Sequence, residues 1–526
     1  MFLFVFYGVM VLNWCCTQGW SKSPNFVVVL ADDMGWGDFG INMADHATTE
    51  SDTPGLDRLA KEGMRFTDFH SAASTCSPSR ASLLTGRLGV RTGVTHNFSP
   101  LSVAGLALNE TTIAEVLSPL GYATAAIGKW HLGHNGPFHP NHRGFNYFFG
   151  LPYSADMGCT DNPGADIPAC RACPDTPARY SNATSHGRRE EACSIPLGLP
   201  LYEDLKIVDQ PTSLQHFATQ LTNKAVRFIE QQSAAHRPFF LYLALSHMHV
   251  PLATAPIFVN SSHHGQFGDT LREMDWVVKT IANTLSQLHV ENDTLLWFTS
   301  DNGPWSEKCQ FSGNSGPFVG KWQQMQGGTA TKTTTWEGGH RVPGFVYWPT
   351  HIQPNQTNDA LLSTLDIFPT LLSLANVSLP PNRQYDGMDV HSILQTGSSA
   401  GHKVLFHPNS GAGGNIGAVE TIRLGQYKAY YRTAGATACD GSEGVEKQHS
   451  EPLLFALNRD VSEAFPLPQG SEEYCAMSKR VHAALRTLHQ DVERDNTTRG
   501  DYAHAARAKP CCNVHLPCCR CHKYEA

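Results

Sequence analysis

Between residues 26 and 299 lie four uninterrupted apolar runs of strand length, each ending in a polar cluster. Phe26–Leu30 leads to Ala31-Asp32-Asp33, and Ala123–Ile127 leads to Gly128-Lys129-Trp130-His131. Phe239–Leu245 leads to Ser246-His247-Met248-His249, and Leu295–Thr299 leads to Ser300-Asp301-Asn302-Gly303. Apolar runs without alternation predict strands covered on both faces, as in a parallel sheet. Helical patterns over Thr112–Leu120 and Leu214–Gln231 separate them, which predicts an α/β fold. In such folds ligands gather at the carboxyl ends of the strands, where all four polar clusters stand. Further on, Val404–Phe406 and Thr421–Arg432 read as strands of a second, smaller region that begins near His402.

A different pattern occupies Cys76-Ser77-Pro78-Ser79-Arg80-Ala81-Ser82-Leu83-Leu84-Thr85-Gly86-Arg87. Pro78 opens a predicted helix and Gly86 stops it, with Cys76 just ahead of its first turn. That position sits in positive potential beside unpaired backbone N–H groups, a setting for a reactive residue facing an anion.

Composition narrows the class. A chain of 526 residues can bury a large core, and 41% hydrophobic with 16% charged residues describes a globular protein. A net charge of −8 without basic runs or zinc-finger spacing excludes nucleic acid as a partner. The 26 histidines would offset that charge below neutral pH, which helps an enzyme meet an anion in an acidic compartment. The apolar stretch Met1–Leu12 is too short to span a bilayer but suits a signal peptide over about residues 1–20, cleaved between Cys16 and Ser21. No later segment reads as transmembrane. Sequons at Asn97, Asn109, Asn182, Asn260, Asn292, Asn355, Asn376 and Asn496 fit the secretory pathway. So do fifteen cysteines. Without Cys15 and Cys16 their number is odd, which leaves one unpaired, with Cys76 the natural candidate. Cys511, Cys512, Cys518, Cys519 and Cys521 read as a disulfide-bonded tail rather than a metal site.

Asp32, Asp33, Asp301 and Asn302 form an all-oxygen set, suited to calcium or magnesium more than to zinc. One acidic pair alone is an ordinary capped turn; two at two strand ends make a metal site. Lys129 and His131, two residues apart on an extended segment, point the same way. His249 closes the third run, and Lys332 adds a cation in a glycine-containing loop.

These residues and motifs resemble the sulfatase family. Cys76-Ser77-Pro78-Ser79-Arg80 with Leu84-Thr85-Gly86-Arg87 is similar to its signature, in which the cysteine becomes formylglycine. Gly121-Tyr122-Ala123-Thr124 through Gly128-Lys129-Trp130-His131-Leu132-Gly133 is similar to its second element. The resemblance implies an alkaline-phosphatase-like α/β sandwich around a large mixed, mostly parallel sheet, as a catalytic domain over about residues 21–400. A smaller domain with an antiparallel sheet and the Cys-rich tail would follow over 401–526.

It implies that Asp32, Asp33, Asp301, Asn302 and the modified Cys76 hold one calcium ion. Arg80, Lys129, His131, His249 and Lys332 would surround the sulfate, with Ser154 beside it. Asp301 would accept the attacking hydroxyl's proton, His249 would be the acid for the leaving alcohol and His131 the base for elimination, the last two being interchangeable. Implied partners are a sulfated glycan or aryl sulfate substrate, the formylglycine-generating enzyme, and a mannose-6-phosphate receptor for delivery to the lysosome. Within the family the resemblance points to 3-O-sulfated glucosamine at heparan sulfate ends, with aryl sulfates as surrogates. The rivals are another glycosaminoglycan or sulfolipid sulfatase, a phosphatase or phosphodiesterase of the same superfamily, and a catalytically silent glycoprotein that binds sulfated glycans.

Overall fold

The computed structural model describes residues 23–43, 51–162, 164, 169–170, 197–513 and 519–522. The signal segment, Asn182 and Cys518 lie outside them. In the large sheet β1 (Asn25–Ala31) runs parallel to both β8 (Phe239–Ala244) and β9 (Thr294–Ser300). On the far side of β8, β4 (Ala123–Lys129) and β5 (Tyr147–Leu151) continue the parallel set. The flanks are mixed: β2 (Met64–Phe66), β10 (Gly344–Tyr347) and β11 (Gln356–Asn358) lie beyond β9, while β6 (Leu201–Glu203), β7 (Lys206–Gln210) and β17 (Cys521–His522) lie beyond β5. A short pair, β3 (Phe69–His70) with β12 (Leu362–Ser363), stands beside it.

The apolar runs behave as their composition requires. Val27, Val29 and Ala31 of β1 face one core layer, closed by the helices Pro54–Glu62, Phe217–Ala234 and Gly265–Gln287. Phe26, Val28 and Leu30 face the other, closed by Cys76–Thr85, Ile113–Leu117 and Ile367–Leu374. The result is a three-layer sandwich in which the central strands are covered on both sides. Gly128 has φ +115°, and a Cβ there would lie 1.8 Å from the Ala244 carbonyl oxygen, so only glycine lets β4 carry Lys129 this close to β8.

The small antiparallel sheet comprises β13 (Val404–Phe406), β14 (Thr421–Leu424), β15 (Tyr427–Thr433) and β16 (Lys447–Ala456), in that order. The helix Glu472–Arg494 packs Tyr474 and Val481 against its Ile422, Leu424 and Leu454. Beyond it the chain does not stay with this sheet. Thr498 N–H donates to the Arg91 carbonyl (2.7 Å), His134 Nε2 meets the Ala508 carbonyl (2.9 Å), and β17 pairs with β7. The tail of the 401–526 region thus packs on the first domain.

The described disulfides are Cys159–Cys170, Cys309–Cys439, Cys511–Cys519 and Cys512–Cys521. Cys76 is unpaired and buried, but Cys475 is unpaired as well and exposed, so the odd count does not single out Cys76. Sequons Asn109, Asn260, Asn292, Asn355, Asn376 and Asn496 are exposed; Asn97 is half-buried. Among the described residues no helix is long and apolar enough to cross a membrane.

Candidate active site

Because β9, β1, β8 and β4 are neighbours, their polar carboxyl ends converge. Asp32 and Asp33 follow β1, Asp301 and Asn302 follow β9, Lys129 ends β4, and His249 lies just past β8. Cys76 is not ahead of its helix but is its first residue, and all ten residues of that helix are buried. Asn97 helps to seat this turn by accepting the Ser77 N–H on Oδ1 (2.9 Å), and Gly86 ends the helix at φ +68°.

The Cys76 Sγ lies 3.6 Å from Asp32 Oδ1 and 3.2 Å from Lys129 Nζ. Lys129 also donates to Asp32 Oδ2 (2.6 Å) and Ser154 Oγ (3.1 Å). Lys332 donates to Asp33 Oδ2 (2.7 Å), and Arg80 grips Asp301 Oδ2 through Nε (3.0 Å) and Nη2 (2.8 Å). Asp33 N–H donates to Asp301 Oδ1 (3.1 Å). His249 Nε2 faces Ser154 Oγ (3.4 Å) and Asp33 Oδ2 (3.5 Å), and its Nδ1 meets the Val250 carbonyl (2.6 Å). A ring nitrogen against a carbonyl must carry the proton, so Nε2 is the nitrogen turned to the site. By the same logic His131 carries its proton on Nε2, against the Phe98 carbonyl (3.1 Å), and its buried Nδ1 is a lone pair without a partner among the described residues.

Burial dominates the electrostatics. It pushes the Cys76 thiol well up, more than the charges of Lys129 and Lys332 pull it down, so residue 76 as cysteine is a neutral thiol and not a thiolate nucleophile. Burial also raises Asp301, reinforced by the charge of Asp32. At Asp32 burial is outweighed by Lys129 and then Arg80, and the carboxyl lies below its ordinary value. Burial, then Lys129 and Arg80, hold His131 far below the usual imidazole range. Lys332, despite burial, is held above its ordinary value by Asp33.

Three carboxylates thus face three cations in a buried site, a balance that admits a dication together with an anionic substrate. Asn302 offers a direct test of the metal reading. Its amide donates to Asp33 Oδ1 (2.7 Å) and the Gly303 carbonyl (2.9 Å), while its buried Oδ1 has no partner among the described residues. A stranded oxygen among carboxylates fits a hard divalent cation. The ligand atoms of Asp32, Asp33, Cys76 and His249 cluster within 4.8 Å of one another.

His247, two residues from His249, turns Nε2 to Glu273 (3.3 Å), behind the site. Trp305 escaped the sequence reading. This part-exposed ring at the mouth has its centroid 4.3 Å from Lys332 Nζ and 5.3 Å from the His249 ring. A lone tryptophan in a loop carries no periodic signal, and only its place directly after Asp301-Asn302-Gly303-Pro304 pointed to the site.

A second buried cluster, His70, Glu337 and His407, joins the two domains. It does not suit a metal, because Glu337 already takes Arg341 (3.0 Å), Arg423 (3.0 Å) and Lys428 (2.8 Å). His407 stacks between His340 and His70, and both its nitrogens lack partners among the described residues. Burial holds His70 to about 4 and His340 to about 3, and His407 far below normal. The unfolded chain therefore binds more protons than the folded one below pH about 6.5. Stability is fully present above that pH and is lost as pH falls towards the folded values. Replacing His407 with phenylalanine removes one such group; thermal melts should show a gain over the parent at pH 5 that shrinks at pH 7.

The family profile described as Sulfatase matches residues 24–377, and the C-terminal region of aryl-sulfatase matches 400–521. Arylsulfatase G of Mus musculus is 55% identical over 501 residues, covering 95% of this chain and 93% of that protein. Arylsulfatase A of Homo sapiens is 36% identical over 521 residues, covering 95% and 96%. The crystal structure of the PsFucS1 sulfatase from Pseudoalteromonas sp. superposes with a TM-score of 0.74 at 27% identity, covering 91% of this chain and 92% of that one.

Proposed function

The chain belongs to the sulfatase family, which hydrolyses sulfate esters, and we propose that it does so with a formylglycine made from Cys76 and one calcium ion. The observation that carries this reading is the Cys76 side chain, buried between Asp32 and Lys129 as a thiol that burial keeps protonated. A phosphatase reading finds no serine or threonine in that place. Cys76 is fully buried, so the formylglycine-generating enzyme must act before the domain closes.

Asp32, Asp33, Asp301 and Asn302, with residue 76, would hold the calcium, which supplies a lowered hydroxyl pKa and polarised sulfate oxygens. As a hydrated aldehyde, residue 76 offers one hydroxyl to attack sulfur and a second whose deprotonation expels sulfate and restores the aldehyde. Lys129, Lys332 and Arg80 neutralise the sulfate oxygens as charge builds there. Asp301, raised by burial and fixed by Arg80, takes the proton of the attacking hydroxyl. His249, when doubly protonated, gives the Nε2 proton to the leaving alcohol while Nδ1–H stays on the Val250 carbonyl, and His131 receives one on its bare Nδ1 during release. Ser154 orients both Lys129 and His249.

For the substrate, similarity to Arylsulfatase G supports 3-O-sulfated glucosamine at heparan sulfate ends. Six exposed sequons support glycosylation and mannose-6-phosphate delivery to the lysosome. Mass spectrometry of the tryptic peptide Phe66–Arg80 should find the aldehyde in active protein; a thiol throughout would count against the mechanism. Defined saccharides at acidic pH should release sulfate from a 3-O-sulfated glucosamine terminus, and no release there would overturn the narrower claim. Chelation should abolish turnover, with calcium restoring it.

A further inference from the structure

After the helix Glu472–Arg494 the chain returns to the first domain and runs beside the loop 93–103. Val103 N–H donates to the Ala503 carbonyl (3.0 Å), and Ala505 N–H donates to the Leu101 carbonyl (3.0 Å). Between them Tyr502 reaches into the loop. Its hydroxyl accepts the N–H groups of Thr95 (2.8 Å) and His96 (3.2 Å). Its one proton has the carbonyl of Gly93 (3.3 Å) or of His96 (3.2 Å) to meet. The phenol ring stacks on the rings of His96 (centroids 3.5 Å apart) and Phe98 (4.9 Å). The same Phe98 supplies the carbonyl that takes the Nε2 proton of His131. Three residues past His131, His134 Nε2 meets the Ala508 carbonyl (2.9 Å). One returning segment therefore holds both the partner of the His131 ring and the strand of chain that carries it. His131 needs that support, because its φ of +59° lies in the left-handed region, where a residue with a Cβ stays only if its surroundings hold it.

We propose that Tyr502 is a positioning residue for the release of sulfate, acting through Phe98 on His131. It rests on the reading of His131 as the base for that step. A carbonyl only accepts, so while Phe98 is held against Nε2 the ring proton stays there and Nδ1 stays bare. In release, the free hydroxyl on residue 76 gives its proton to Nδ1, and that oxygen's electron pair closes the C=O bond. The C–O bond to sulfate breaks, and its pair leaves on sulfate. If the loop drifts, the tautomers mix and the base is misplaced. Release follows the departure of the alcohol, so it does not enter kcat/KM, which counts steps only up to the first irreversible one. A slower release lowers kcat and KM together.

The test compares Tyr502→Ala and Tyr502→Phe with the parent, as full chains with calcium, on an aryl sulfate. Tyr502→Ala should lower kcat about tenfold or more, the effect of a misplaced reacting group, and leave kcat/KM unchanged. The peptide Phe66–Arg80, quenched during turnover, should carry more bound sulfate than in the parent. Tyr502→Phe keeps the ring stack and loses only the hydroxyl, so it should fall between, and it carries the same comparison should the alanine variant not fold. Without substrate, amide hydrogen exchange should quicken at 93–98 and 130–134 in Tyr502→Ala while the central strands stay protected. In a His131→Ala background, Tyr502→Ala should slow release no further. An unchanged kcat in Tyr502→Ala, a fall in kcat/KM as large as that in kcat, or an additive loss in the His131→Ala background overturns the proposal and leaves His131 as the base. A His131→Ala variant with the parent's kcat overturns the reading of His131 itself, and the role of Tyr502 with it.

Discussion

Replacing Cys76 with alanine should lower sulfate ester turnover at least about 10⁴-fold, the scale on which enzymes lose rate with their covalent nucleophile. The fold should survive. Cys76 is fully buried, but among the described residues it makes only two polar contacts and its loss leaves a small cavity, so the cost is about 1 kcal/mol. Serine in the same place separates the two halves of the chemistry. Its single hydroxyl can attack sulfur but has no second hydroxyl to expel sulfate, so a single turnover should leave a stable adduct on the Phe66–Arg80 peptide. Multiple turnovers by either variant, measured on an aryl sulfate with calcium present, would sink the proposed mechanism.

The second large effect belongs to Arg80. Its guanidinium is fully buried, holds Asp301 through two nitrogens, reaches Asp32 (3.5 Å) and donates to the Lys129 carbonyl (2.9 Å). An Arg80→Met variant keeps much of the volume but leaves buried carboxylates without their counter-charge. Breaking such a pair costs about 3–5 kcal/mol, far more than the intact pair contributes. Urea denaturation should show that loss, and activity should fall with it. Arg80→Lys restores the charge but not the fork, because one ammonium cannot make both the Asp301 contacts and the Lys129 carbonyl contact. It should recover part of the stability and little of the activity. A melting curve for Arg80→Met that matches the parent would show that Asp301 does not depend on Arg80.

How much of this was legible beforehand varied with the kind of signal. The four central strands were visible because burial on both faces leaves no polar position in the run, a pattern few other elements share. Their polar ends were visible because parallel strands place their carboxyl ends at one edge, so adjacency in space followed from fold class alone. Trp305 was not, since loops obey no period. Asn97 was read only as a sequon, although its side-chain Oδ1 accepts the Ser77 N–H and seats the helix that begins at Cys76. The pairing of the C-terminal tail with β7 was not legible, because it joins segments about 300 residues apart and no local pattern announces such a contact.

By itself the amino-acid sequence determined the α/β class, the strand ends that bear Asp32, Asp33, Lys129, His249, Asp301 and Asn302, and a helix that follows Cys76 and stops at Gly86, though not that Cys76 is its first residue. Those are consequences of local pattern: apolar run length, helix punctuation and the chemistry of side chains. Tertiary structure alone decided that Cys76 is a neutral thiol, that Asp301 answers to Arg80, which nitrogen each histidine turns to the site, and which ring walls the mouth. Each depends on burial or on a partner from a distant segment. Desolvation and long-range contacts are properties of the assembled sandwich and not of any one stretch of chain.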